Sequence, residues 1–141
     1  MSDEHADRHA IEELLDRYAT IIDARQWELL TEIFLPDAVL DYSSSGGEPG
    51  PLHSVAGWIE KGLSLFASSQ HMITNKEIEV SGDRATSRAL FFNPLVTQEG
   101  SVLFVGGAYN DKWIRTPVGW RIVDRVQETA WTQGLPDLTA Q

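Results

Sequence analysis

Between Asp3 and Arg25 the apolar side chains Ile11, Leu14, Leu15, Tyr18, Ile21 and Ile22 recur at three- and four-residue intervals, with charges at the other positions. That spacing predicts a long amphipathic helix. A shorter helix is expected from Trp27 to Phe34, stopped by Pro36, which lacks an amide donor and restricts the residue before it. Ala38 to Tyr42 then reads as a short strand. Gly46, Gly47, Pro49, Gly50 and Pro51 make Ser43 to Pro51 a loop and a candidate flap. A third helix fits Ser54 to Ala67, where Val55, Trp58, Ile59, Leu63 and Phe66 share one side, although Gly57 and Gly62 weaken it.

Beyond that point the period changes to two. His71 to Val80, Ala85 to Val96, Ser101 to Arg115 and Val118 to Trp131 are expected as four long antiparallel strands with tight connections. Gly106 and Gly107, adjacent in mid-strand, mark a bulge or bend that lets a sheet curl. Helices first and a curled meander afterwards predict an α+β fold in which helices cover one face of a strongly bent sheet and enclose a pocket for a small ligand. One domain over residues 1–136 is expected, with 137–141 as a loose tail.

The formal net charge of −10 would repel phosphate backbones and anionic lipid surfaces, so nucleic-acid and membrane partners are not expected. The 141 residues include no cysteine, which excludes disulfides, thiolate nucleophiles and cysteine-held metal centres. The acidic start Ser2-Asp3-Glu4 is the reverse of a secretory leader, and a cytoplasmic protein is expected.

Asp23 would lie in the last turn of the first helix, where its charge meets the negative end of the helix dipole. A solvent-exposed acid is the competing reading. His71 opens the first long strand among apolar neighbours and could equally be a satisfied core residue. Should the fold join them, the carboxylate would orient the imidazole and create a general base. Tyr18 and Tyr42 offer hydroxyl donors on apolar bodies. Trp58, Asn93, Tyr109 and Arg125 complete the candidate ligand contacts, Arg125 also reading as a structural ion pair with Asp111. His5 and His9 stand at i and i+4 without an evident third ligand, so no metal and no other cofactor is expected, and activity should survive chelation.

Four ordered stretches carry a family resemblance: 11–18 running on to Asp23; Phe34-Leu35-Pro36-Asp37-Ala38-Val39; Gln70-His71-Met72-Ile73-Thr74-Asn75 with Gly82-Asp83-Arg84-Ala85; and Gly119-Trp120-Arg121-Ile122 with Arg125. Together they resemble the SnoaL-like branch of the nuclear transport factor 2-like superfamily. The resemblance implies a cone-shaped α+β barrel and matches Asp23 and His71 to the Asp–His dyad of scytalone dehydratase and hexachlorocyclohexane dehydrochlorinase. His71 would then be the base, Asp23 its partner, and Tyr42 the dehydratase's active-site tyrosine. Ile22 replaces the tyrosine that precedes the dehydratase's aspartate, and no second strand histidine is present. The implied activity is a cofactor-independent lyase or isomerase acting on a small, largely apolar cyclic, polyketide or steroid-like molecule. The alternative is a noncatalytic binding or assembly module. A homodimer or larger homo-oligomer is also implied.

Overall fold

The computed structural model describes residues 3–134; the expected tail at 137–141 lies outside the described residues. Helix α1 (Glu4–Asp23) opens with Asp3, whose side chain accepts from the amides of His5 and Ala6, satisfying two donors that the first turn cannot use internally. Ile11, Leu15, Tyr18, Ile21 and Ile22 form its buried face. Sealing each of the aliphatic ones from water contributes about 1.5–3 kcal/mol.

Several elements differ from the sequence expectation. The segment Trp27–Glu32 is 3-10 rather than α-helical, and strand β1 (Phe34–Asp41) starts ahead of Pro36. Pro36 is tolerated because β1 slips register against the last strand between Phe34 and Val39, where a missing amide costs no ladder bond. Between β1 and α2 (Leu52–Leu63), Ser43–Ser45 forms a 3-10 turn and Gly50–Pro51 forms β2, paired with β1. This is the segment expected as a flap, and it is pinned. The Thr129 amide donates to Ser44 Oγ at 2.6 Å, and Ser45 Oγ meets Thr129 Oγ1 at 2.9 Å.

The expected third helix ends early, at Leu63. Phe66–Ser69 is instead β3, because Thr97 to Leu95 offers it a strand edge. The meander follows as β4 (Met72–Ser81), β5 (Arg84–Thr97), β6 (Val102–Thr116) and β7 (Gly119–Gln133). The spatial order is β2-β1-β7-β6-β5-β3, with β4 also on β5. Only β1 and β7 run parallel, so the sheet is mixed, and it curls without closing into a barrel.

The bend falls at the paired glycines, where β6 and β7 shift register between Gly106 and Gly107. A Cβ at Gly107 would stand 1.9 Å from the Glu128 carbonyl oxygen, and one at Gly106 would stand 2.2 Å from the Trp131 indole. A larger residue at Gly107 would push the strands apart, and one at Gly106 would displace the indole. Along β5 the residues alternate between buried Ala85, Ala89, Phe91 and Asn93 and exposed neighbours, so odd-numbered β5 positions face the concave side where α1 and α2 pack.

Candidate active site

Two local irregularities bring Asp23 and His71 together. Helix α1 ends in a tight cap: the Arg25 amide bonds to the Ile22 carbonyl and the Gln26 amide to that of Ile21, with Arg25 in the left-handed region at φ 59°. That cap leaves Asp23 as the final helical residue. On the facing sheet, β3 and β4 both pair with β5 but are separated by Gln70 and His71. The Gln70 amide still reaches β5, at Pro94, whereas the His71 amide donates to Asp23 Oδ2 at 2.7 Å.

Asp23 collects further donors. Ser69 Oγ donates to Oδ1 at 2.9 Å, and His71 Nδ1 lies 2.7 Å from the same oxygen. Arg25 Nη1 donates in turn to Ser69 Oγ at 2.9 Å. Burial would raise the Asp23 carboxyl, but the bonds from the His71 ring, its amide and Ser69 outweigh that and hold it below its ordinary value. An ionised carboxylate only accepts, so the ring nitrogen facing it carries hydrogen, and in the neutral ring Nε2 is then the nitrogen with the lone pair. The imidazole is 9% exposed and lines a cavity of about 580 Å³. The arrangement is therefore an oriented imidazole with one basic nitrogen to offer.

The cavity wall also includes Tyr18, Tyr42, Trp58, Asn93 and Tyr109, among mostly apolar neighbours such as Ile59, Leu63, Phe91 and Leu95. Tyr18 and Tyr42 join through their hydroxyls at 2.7 Å. Trp58 has its ring 6.1 Å from that of Tyr42 and tilted 59° to it. Asn93 uses Oδ1 to accept the Met72 amide at 3.3 Å, which braces the start of β4 beside His71.

Arg125 is not among the lining residues. It is fully buried and held by Asp111 through Nε at 2.7 Å and Nη2 at 2.9 Å, so the expected ion pair is present. Its guanidinium lies 4.3 Å from the Tyr18 ring centroid and 4.1 Å from that of Tyr109. Nη1 donates to the Tyr42 oxygen at 3.3 Å. A ligand in the cavity meets the tyrosines; Arg125 stands behind them. Burial opposes the guanidinium charge, but the Asp111 carboxylate beside it holds the group well above its ordinary value. The same burial pushes the Asp111 carboxyl up and the Tyr18 hydroxyl far up, so Tyr18 stays a neutral hydrogen-bond group.

Sequence reasoning missed Gln127, Ser44, Ser45, Thr129 and Thr132, which line the same cavity from β7 and the 3-10 turn. Inward alternation from Arg125 to Gln127 to Thr129 was the available signal. Gln127 Oε1 is the buried side-chain polar atom left without a partner among the described residues, an omission that costs about 1–3 kcal/mol.

Asp41, the acid adjacent to Tyr42, turns back to accept the Ser43 amide at 2.9 Å. His9 pairs with Glu13 on the exposed face of α1. No group of three or more His, Cys, Asp or Glu side chains suited to a metal is present among the described residues. No helix among them is long and apolar enough to cross a membrane. Two smaller hollows, of about 390 and 270 Å³, lie along β4–β7 and include neither Asp23 nor His71.

A curled mixed sheet with helices across its concave side is the cone architecture of nuclear transport factor 2-like proteins, and here His71, backed by Asp23, lies on the cavity wall. The SnoaL-like domain model matches residues 3–126, and the chain belongs to that family. An uncharacterized Mycobacterium tuberculosis protein is 40% identical over 126 residues, covering 88% of this chain and 86% of the relative. Among solved structures, a Novosphingobium aromaticivorans protein provisionally named a scytalone dehydratase superposes with TM-score 0.84 at 20% identity, over 94% of this chain and 90% of its own. The hexachlorocyclohexane dehydrochlorinase of Novosphingobium barchaimii reaches 0.80 at 18%, over 96% and 94%. At those identities the likeness establishes the fold; the chemistry must be argued from the site.

Proposed function

We propose that this protein is a cofactor-independent lyase or isomerase, working in the cytoplasm as one domain over residues 1–136, on a small, largely apolar cyclic, polyketide or steroid-like molecule. The observation that carries this reading is the 2.7 Å contact between His71 Nδ1 and Asp23 Oδ1 on the wall of the 580 Å³ cavity. His71 Nε2 takes a proton from substrate carbon, and the released electron pair either expels a leaving group on the neighbouring carbon or passes into a carbonyl. Asp23 stabilises the imidazolium that forms. Because Arg125 already donates to the Tyr42 oxygen, Tyr42 is biased to use its own hydrogen outward, on Tyr18 or on a developing oxyanion. For isomerisation, His71 returns the proton at another carbon.

The test is His71→Ala. Turnover is expected to fall by about a hundredfold or more, with the fold and ligand affinity retained. Early unfolding with affinity lost in proportion would make the pair structural and favour a noncatalytic binding module. Full activity in a stable variant would remove the dyad from the mechanism.

The outer sheet face exposes Met72, Leu90, Phe92, Val102, Val126 and Trp131, and the Phe92 ring stacks 5.6 Å from Phe104 and 5.7 Å from Trp131. In this reading a second copy of the chain covers that apolar platform. Sedimentation that finds only a 15.7 kDa species at micromolar concentration would remove the homodimer.

A further inference from the structure

Behind the dyad stand two side chains that are not on the cavity wall, Arg25 and Ser69. Arg25 Nη1 donates to the Ile22 carbonyl at 2.8 Å and to Ser69 Oγ at 2.9 Å, and Ser69 Oγ donates to Asp23 Oδ1 at 2.9 Å. Chemistry fixes the direction of that chain. A guanidinium only donates, so Ser69 accepts from Arg25 and commits its single hydroxyl hydrogen to the carboxylate. Closing the helix does not call for an arginine here. Residue 25 stands at φ 59°, in the left-handed region where glycine fits without strain. A bulky residue held in that conformation points to a role for its side chain. The bond to Ile22 caps α1, but the bond to Ser69 reaches across to β3 and sets a half-buried positive charge two hydrogen bonds from the Asp23 carboxylate.

A base works only while its lone pair is free. The carboxylate 2.7 Å from His71 Nδ1 favours the protonated ring, and an unopposed one would hold the imidazole in a form unable to take a proton. Ser69 and Arg25 act the other way: the hydroxyl draws charge from Oδ1, and the guanidinium is a like charge to an imidazolium. Among the described residues no carboxylate or cation lines the cavity beside the ring, and the titratable groups that share its wall are Tyr18, Tyr42 and Tyr109. Burial raises the Tyr18 and Tyr109 hydroxyls above their ordinary value. From β5 comes Asn93, which is uncharged. The charges bonded into the network are therefore those of Asp23 and Arg25.

Resting on the lyase or isomerase reading for His71 as the base, we propose that Arg25 and Ser69 temper the dyad, weakening the hold of Asp23 on the imidazolium so that the ring returns to the form with a free lone pair. Both are positioning residues. They reach a substrate only through Asp23 and His71.

Proton NMR of the full chain through a pH series reads the His71 titration without any substrate. His71→Ala identifies its signal, by absence, among the four histidines. Arg25→Gly removes the charge while suiting the left-handed cap, and the His71 midpoint is expected to rise by about half a pH unit or more. Ser69→Ala should move it in the same direction. A purely structural pair gives the opposite sign, since a loosened Asp23 would support the imidazolium less and the midpoint would fall. A fall or no change in Arg25→Gly therefore overturns the proposal, and that variant decides alone if Ser69→Ala does not fold. So does a folded Ser69→Ala whose midpoint fails to rise. Loss of turnover in His71→Ala without any rise in Arg25→Gly would sink the tempering pair and leave the dyad standing; a rise beside full turnover in His71→Ala would do the reverse.

Discussion

Arg125–Asp111 in the sheet and His71–Asp23 at the end of α1 are both carboxylate pairs, and they differ in what they leave unspent. Arg125 and Asp111 are both fully buried and joined by two bonds, and the third guanidinium nitrogen reaches Tyr42. Aromatic rings cover the flat faces. Nothing is left to react. Asp23 and His71 are joined by one ring contact at the same 2.7 Å, but the second ring nitrogen is free and the imidazole borders a cavity. Burial and a salt bridge alone do not mark a reactive site; an unsatisfied atom in reach of a ligand does.

That contrast can be broken most forcefully at Arg125. Arg125→Met strands a buried Asp111 carboxylate, and urea denaturation should show a loss of about 3–5 kcal/mol. Adding Asp111→Leu should recover most of it, because an apolar pair of similar size removes the stranded charge. A neutral single variant would mean that the pair is not the anchor described here.

The dyad should respond in the opposite currency, in rate before stability. Asp23→Asn leaves a side chain that can still hold the ring but cannot stabilise its positive form and favours the wrong tautomer, so turnover should drop about a hundredfold. Steady-state kinetics beside a thermal melt separate the two effects. A melt that shifts while turnover holds would move the dyad into the structural class with Arg125.

A smaller effect sharpens the same line. The Asp23 carboxyl titrates below its ordinary value in the folded chain, so the stability it adds is complete above the unfolded value and is lost as pH falls through the depressed folded one. The gap in unfolding free energy between wild type and Asp23→Asn should stay level above about pH 5 and narrow below about pH 4. A gap unchanged at pH 3 would contradict a carboxylate held ionised by its bonds to His71 and Ser69.

Much of this was legible in the chain, for reasons that vary by residue. The three-and-four spacing of Ile11 to Ile22 fixes α1, and Asp23 stands out because a helix end disfavours its charge. The Gly106-Gly107 pair announces the bend. By contrast, Phe66 continues the helical spacing of Val55, Ile59 and Leu63, and only the edge of β5, distant in sequence, turns it into a strand. Pro36 looks like a stop until the register slip between β1 and β7 makes room for it. Gln127 shares the alternation of Arg125 and Thr129, but alternation alone does not tell which face of β7 is concave. Here the packing of Tyr109 beside it decides the matter.

β7, the last strand of the described chain, is not an edge: it lies between β1 and β6, and parallel to β1. During synthesis both neighbours wait with open ladders, and the nascent chain carries two unpaired strand edges until β7 leaves the ribosome. Closure depends on contacts far apart in sequence, such as the Ile122 amide on the Ile33 carbonyl, which places refolding in the slower, millisecond-to-second range of such topologies. A chain stopped short of β7 would have its helices and its meander, yet the slot between them would gape, inviting a strand from a neighbouring molecule to fill it.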